Sequence, residues 1–372
     1  DKAIALKPNQ VEFHVQRADL YLKQNRPQMA KAELEHAFEL EPGLSIAHLG
    51  LGQAAFLESR DEDALVEFLA ASADNPSYSL ALLRLAEIYG HLGGKSPLLG
   101  QTRDQATHLQ QLLKTEEDEY SVFIAMRYWH PRADETMGKV KAYDPDEIIL
   151  LPLYPQFSTT TTASSLAEWQ EISQKAGMTV PVSTICCYPA ETGFVAAYAD
   201  LILQKLEAYP GDAPKLLFSA HGLPKKIVDA GDPYPAQVEK TVAAIVAALK
   251  RPDLEHQICY QSRVGPLEWI GPDTEDEIKQ AGTLGQSLLV IPVAFVSEHS
   301  ETLVELDIEY GEVAKAAGVK TYQRVPTVAS HEKFIEGLAD LVKNRKTGEI
   351  MSNEGGIICP AGAIGCVRYS AS

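Results

Sequence analysis

From Gly93 onward, short apolar runs alternate with amphipathic stretches, and that alternation restricts the fold more than any other feature of the chain. The runs are Ser121 to Tyr128, Glu147 to Tyr154, Thr179 to Cys186, Lys215 to Ser219, His256 to Tyr260, Ser287 to Val296 and Lys320 to Val325. Each is strand-sized, and helical stretches separate most of them, an order that lays successive strands parallel in one sheet. Seven strands suit an α/β fold of two small, doubly wound, Rossmann-like parallel-sheet domains. The expected boundaries are 93–190 for the first, completed by 326–345, and 191–325 for the second. The Ala-rich stretch Phe194 to Tyr209 would connect the halves, and 346–372 would form a C-terminal extension.

The residues before Gly93 follow a different rule. Prolines recur at Pro8, Pro42 and Pro76, a spacing of thirty-four, and the segments between them echo one another. Ala18 matches Gly52, Ala30 matches Ala64, Leu34 matches Phe68 and Ala37 matches Ala71. Small and large apolar residues at fixed places are what paired helices need at their closest approaches. The pattern resembles the tetratricopeptide repeat, so residues 1–92 are expected to form an all-α array that begins mid-repeat. A further first helix, Ser79 to Gly93, keeps Leu85, Ala86 and Tyr89 in register. Such an array implies a groove for a protein partner.

Bulk properties bound the function. A net charge of −18 argues against a nucleic-acid partner, which needs clustered Lys and Arg. The longest apolar runs, such as Leu288 to Val296, are too short to span a bilayer and are broken by Pro292. Five cysteines, two of them adjacent, do not form a secreted disulfide framework. The expected location is the cytoplasm, with at most peripheral contact at the inner membrane. No phosphate-cradling Gly-rich loop and no Gly-x-Ser-x-Gly elbow is present, which leaves nucleotide and esterase chemistry without support.

The stretch LLFSAHGLPKKIVDAGDPYP, 216–235, ends an apolar run on His221 and turns at once through Gly222 and Pro224. His221 therefore stands just past the carboxyl end of a strand, the edge of an open α/β sheet where ligands bind. A loop histidine at a turn is the plainer reading of the same residues. Farther on, SEHSETLVELDIEYGE places Glu298, Glu301, Glu305 and Glu309 on one arc of an α-helix. Like charges four apart cost a helix a few tenths of a kcal/mol per pair. A solvated acidic face accounts for the row, and so does a site, because the preceding strand Ser287 to Val296 puts this helix start at a sheet's carboxyl edge.

Four motifs then carry a family resemblance: MRYWHP (126–131), LLPLYPQFSTTTTASS (150–165), SAHGLPKKIVDAGDPYP (219–235), and CYQSRVGPLEWIGPDTED (259–276) running on to IPVAFVSEHSETLVELDIEY (291–310). In order over about 93–345, they resemble the ferrochelatases, which insert Fe(II) into protoporphyrin IX to form protohaem in haem biosynthesis. The resemblance implies His221 as catalytic base, with Glu301 its partner at the metal site, and Glu298, His299 and Glu305 along a proton or metal path. It implies a porphyrin site built from Ser96, Arg127, Tyr128, Gln261, Ser262 and Trp269, although an aromatic such as Trp269 also serves as core packing. Ser158 to Thr162 reads as a hydrogen-bonding loop beside that pocket. In the family a strand, a Gly-rich loop and lip helices precede the stretch GGKSP (93–97); here the repeats occupy that place. A porphyrin-binding scaffold without turnover is the alternative, and a cobalt chelatase a third reading.

Some ferrochelatases hold a [2Fe–2S] cluster on one mid-chain and three C-terminal cysteines. By that resemblance Cys186, Cys187, Cys359 and Cys366 are candidate ligands, with Arg368 where a third C-terminal cysteine is expected.

Overall fold

The computed structural model describes residues 4, 7–41, 44–57, 67, 71, 90, 95–115, 118–127, 129–263, 268–355, 358–359 and 363. Its contacts divide the chain into two units, Asp1–Pro97 and Leu98–Ser372.

In the first unit, α1 (Val11–Lys23), α2 (Pro27–Leu40) and α3 (Ser45–Leu57) pack on one another. Ala18, Ala30, Ala37 and Ala47 are fully buried there, and a Cβ at Gly50 would lie 2.8 Å from Leu34 Cδ1. The thirty-four-residue spacing recurs in polar chemistry. His14 Nδ1 donates to Glu33 Oε2 at 2.8 Å, and one period later His48 Nδ1 donates to Glu67 Oε2 at 2.7 Å. The helix expected over Ser79 to Gly93 lies outside the described residues except for Gly90.

The second unit opens with α4 (Leu98–Leu113), followed by an extended stretch, Ser121 to Met126, and α5 (Ala133–Tyr143). Strand β1 (Ile148–Leu150), a π-helix (Thr159–Ala163), α6 (Ser164–Lys175), β2 (Val182–Cys187) and α7 (Thr192–Glu207) complete this half. The next half runs β3 (Lys215–His221), α8 (Lys225–Asp229), α9 (Tyr234–Leu249), β4 (His256–Gln261), α10 (Thr274–Thr283) and β5 (Leu288–Pro292). A second π-helix (Glu301–Glu309), α11 (Tyr310–Ala317), β6 (Tyr322–Arg324), α12 (Glu332–Lys343) and β7 (Ile350–Ser352) follow.

Two parallel sheets result, ordered β1-β2-β7 and β4-β3-β5-β6. The α/β fold with parallel sheets is as expected. Every side chain of β5 is buried, as a strand covered on both faces requires.

The halves repeat one arrangement. Met126 N–H donates to Pro131 O at 2.8 Å, and Tyr260 N–H donates to Pro272 O at 2.9 Å. Leu151-Pro152 and Ile291-Pro292 each precede a loop and a π-helix, and Phe194-Val195 and Ala199-Asp200-Leu201 match Phe334-Ile335 and Ala339-Asp340-Leu341. The matched helices α7 and α12 pack directly together. Their approach depends on glycine: a Cβ at Gly193 would collide with Lys333 O, and one at Gly337 with the Glu191 carboxylate.

Two strand expectations differ from the structure. Ser121 to Met126 pairs with no strand among the described residues, although Val122 packs on the same apolar cluster as Ile149 and Leu151, and Phe123 on the cluster that holds Ile148 and Leu150. Side chains satisfy its backbone instead: Val122 N–H donates to Gln110 Oε1 at 2.7 Å, and Thr136 Oγ1 donates to Ile124 O at 2.5 Å. Conversely, the extension at 346–372 supplies β7, which pairs with β2. Three residues are too few to show a strand period, so β7 left no mark in the sequence.

Candidate active site

His221 is the last residue of β3, and the chain turns away from the sheet directly after it. Gly222 N–H donates to Gln261 O at 2.8 Å; a Cβ at that position would lie 2.8 Å from the same oxygen and 3.3 Å from Trp269 Cε3. Glycine is thus demanded by close approach. The segment from Glu268 to Ile270 straps the turn, with Lys225 N–H donating to Glu268 O at 2.8 Å and Ile270 N–H to Leu223 O at 3.0 Å. Trp269 forms part of this strap, half-buried against the His221 loop.

His221 Nδ1 donates to Glu301 Oε2 at 2.9 Å, and Glu301 opens the second π-helix. His299 Nε2 lies 3.9 Å from Glu301 Oε1, while its buried Nδ1 has no partner among the described residues. Burial pulls the His221 imidazole down, but the Glu301 hydrogen bond and charge, with Glu305 beyond, outweigh it and hold His221 above its ordinary value. Burial pushes Glu301 up, and the His221 bond and charge reverse this, leaving Glu301 below the usual carboxylate range. The two shifts agree: each partner stabilises the charged form of the other. His299 is lowered, chiefly by burial, and so favours its neutral form.

Glu305 faces a different environment. It accepts from Gln261 Nε2 at 3.0 Å, Ser262 N at 2.8 Å, Ser262 Oγ at 2.6 Å and Tyr310 Oη at 3.1 Å. Burial nevertheless raises it, and the nearby Glu301 charge adds to that, while Ser262 and Gln261 oppose. Ser262 adopts φ 59°, a left-handed conformation unusual for a residue with a Cβ, and so turns both its N–H and its hydroxyl onto Glu305. Gln261 is fully buried; its Nε2 also reaches Glu301 O at 3.3 Å, and Ser219 Oγ donates to its Oε1 at 2.8 Å.

The structure therefore brings His221, Glu301, His299, Glu305, Gln261, Ser262 and Trp269 into one neighbourhood. Glu298 turns elsewhere. Its Oε1 accepts from Arg324 Nη1 at 3.1 Å and Thr327 N at 2.9 Å, and Arg324 also pairs with Asp307 at 2.7 Å. Arg324, 7% exposed, thus binds two carboxylates on either side of the π-helix start. Glu309 is exposed. The acidic row therefore divides: Glu301 and Glu305, inside the π-helix, both face Gln261 and Ser262, whereas Glu298 precedes that helix and is drawn to Arg324. Arg127 belongs to the first half, where Nε donates to Ser164 Oγ and Nη1 pairs with Glu168, both at 3.4 Å. Ser96 falls in the first unit, and Tyr128 lies outside the described residues.

Asp232, within the motif at 219–235, takes a role that the motif alone does not reveal. It is 6% exposed, and its Oδ2 accepts from Ser158 Oγ at 2.9 Å, Thr159 N at 2.7 Å and Thr159 Oγ1 at 2.6 Å. Its Oδ1 accepts from Tyr234 N at 3.0 Å. The loop that follows His221 is thereby tied to the Ser158–Thr162 turn of the other half. Gln156 Nε2 reinforces the tie through Thr241 Oγ1 at 2.9 Å and Val293 O at 3.3 Å. The Asp-Pro-Tyr order before an amphipathic run, a helix-start signal, was the available clue.

Cys186 and Cys187 are buried with Sγ atoms 3.4 Å apart, and Gln237 Nε2 reaches Cys187 Sγ at 3.5 Å and Cys359 Sγ at 3.4 Å. The hydrogen bond with Cys186, and burial after it, hold the Cys187 thiol well above its usual range. Among the described residues no three Cys, His, Asp or Glu side chains converge as a metal ligand set, so these thiols do not by themselves form a cluster cage. Cys366 and Arg368 lie outside the described residues. Cys259 is a fully buried core thiol.

Comparison with known proteins settles the family. The ferrochelatase family model matches residues 78–346. The chain belongs to the ferrochelatase family. The ferrochelatase of Rickettsia bellii is 46% identical over 291 residues, 76% of this chain and 80% of that one. The ferrochelatase of Caulobacter vibrioides is 50% identical over 259 residues, 69% and 74% of the two chains. The ferrochelatase of Pelagibacter ubique is 46% identical over 269 residues, 72% and 78%. The matched span contains every element from α4 through α12, and with them the His221–Glu301 pair.

Proposed function

We infer that this chain is a ferrochelatase that inserts Fe(II) into protoporphyrin IX, with His221 as the proton-accepting base. The observation that carries the assignment is the 2.9 Å bond from His221 Nδ1 to Glu301 at the carboxyl edge of the second sheet. Insertion must remove two pyrrole protons and strip water from iron. With Nδ1–H given to Glu301, neutral His221 keeps its Nε2 lone pair for a pyrrole proton, and the Glu301 charge stabilises the imidazolium that forms. His299, lowered chiefly by burial, is a weaker base than His221 and stands beside Glu301 as a neutral ring, which leaves His221 the first proton acceptor. Gln261 and Ser262 hold the pocket side of the pair, and Trp269 offers a flat surface to the macrocycle. The Ser158–Thr162 turn, fastened by Asp232, forms the facing wall from the first half, and Arg127 can meet a propionate there. Replacing His221 with Ala should lower insertion by roughly 10²–10⁴-fold while porphyrin binding survives. Turnover within tenfold of the parent would remove the base assignment.

The finer features are proposals of the same kind. Residues 1–92 form tetratricopeptide-like repeats, supported by the recurrence of the His14–Glu33 bond at His48–Glu67. They would present a groove to a protein partner. The body divides at about residue 190 into two chelatase domains, supported by the two separate sheets. No described helix is long and apolar enough to cross a membrane. With the net charge of −18, this suits work in the cytoplasm with at most peripheral membrane contact. A [2Fe–2S] group would need Cys366 besides Cys186, Cys187 and Cys359, since it takes four thiolates and Arg368 cannot ligate iron. Iron and acid-labile sulfide in anaerobically purified protein, compared with Cys366→Ser, test for it.

A further inference from the structure

Gln237 lies in the first turn of α9 and is 1% exposed, yet it serves three groups outside its own helix. Its Oε1 accepts the Phe157 N–H at 2.7 Å, and its Nε2 lies 3.5 Å from Cys187 Sγ and 3.4 Å from Cys359 Sγ. A carboxamide can satisfy this set in one orientation only, with oxygen toward the backbone donor and nitrogen toward the two sulfurs. Phe157 immediately precedes Ser158, whose Oγ accepts from Thr160 N at 3.2 Å and donates to Asp232. One buried amide therefore connects a thiol pocket, formed by the end of β2 and the C-terminal segment, to the root of the Ser158–Thr162 turn.

We propose that Gln237 is a positioning residue that transmits the state of the Cys187–Cys359 thiol pocket to the Ser158–Thr162 turn of the active site. Each sulfur takes one amide proton. When a sulfur is removed or its lone pair is claimed by another group, a buried N–H loses its acceptor, and solvent cannot replace it. Rotating the amide to find a new acceptor takes the oxygen away from Phe157. In either case Phe157 loses a firm anchor. Asp232 holds Ser158 and Thr159 from the other side and does not touch the thiols, so the turn loosens without detaching. The effect on substrate rests on the reading of that turn as a wall of the porphyrin site.

The test uses the full chain as Cys359→Ala, Gln237→Leu and the double variant. Two quantities are read: hydrogen-exchange protection of the 157–163 amides, and KM for protoporphyrin against kcat and its pH profile. Cys359→Ala should cut protection of 157–163 and raise KM by roughly fivefold, the scale of one hydrogen bond, with the pH profile of kcat unmoved. In the Gln237→Leu background the same Cys359→Ala change should have no further effect on either quantity. If protection is unchanged in Cys359→Ala, or falls equally without Gln237, the relay is wrong. Lost protection with unchanged KM keeps the relay and overturns the placement of the turn beside porphyrin. Should Gln237→Leu fail to fold, Gln237→Glu takes its place, since it keeps an acceptor for Phe157 and removes both donors.

Discussion

Glu301 does two jobs for His221, and they separate by pH. As a hydrogen-bond acceptor it fixes which ring nitrogen carries the proton; as a charge it raises the imidazole above its ordinary value of 6.5. The base is active when neutral, so the acid limb of the kcat/KM profile should lie above pH 6.5. Glu301→Gln removes the charge. It should move that limb down and lower kcat by roughly 10²-fold; a limb that stays in place would show that Glu301 does not set the titration of His221. Because His221 is raised and Glu301 lowered, the pair's contribution to stability is complete between pH 4.5 and 6.5; it fades as pH rises through the folded value of His221 and as pH falls through that of Glu301. Arg324 offers a second test. Arg324→Met leaves Glu298 and Asp307 without their shared cation, a loss expected to cost about 3–5 kcal/mol and visible as a lowered Tm. The meeting of His221 and Glu301 was legible through the resemblance their motifs carry, with one residue at the end of a strand and the other soon after one. The role of Glu298 was not, because an acidic row drawn on an α-helical wheel says nothing about Arg324, which lies on another strand.

Elements were easier to foresee than their partners. The runs that became β1 to β6 all showed as apolar and β-rich, and the amphipathic stretches between them became helices. Two features hid. The π-helices have wider turns than the 3.6-residue period of an α-helix, so Thr159–Ala163 read as a loop and Glu301–Glu309 as an α-helix. The contact between α7 and α12 was also invisible, since Gly193 and Gly337 in isolation look like weak points in helices. In the fold they are the contact. Gly337→Ala would push against the Glu191 carboxylate, which caps α7 through Gly193 N at 2.9 Å and Phe194 N at 2.7 Å. It should cost about 1–3 kcal/mol by overpacking; a Tm equal to the parent's would show that the helices can part freely.

At the scale of the molecule, the two sheets differ in how far apart in sequence their strands lie. The second draws all four strands from Lys215 to Arg324, whereas the first takes β1 and β2 from Ile148 to Cys187 and then waits for Ile350–Ser352. Ending the chain at residue 345 should leave the second sheet intact but expose an edge of β2, giving a lower Tm and a tendency to associate. Equal stability and a monodisperse product would show β7 to be dispensable. The order of strands also has a consequence during synthesis. A ribosome releases β1 and β2 long before β7 exists, so the half made first is the half finished last. The second sheet can close while the first still presents an unpaired edge, and the nascent chain carries that liability until Ile350–Ser352 emerge.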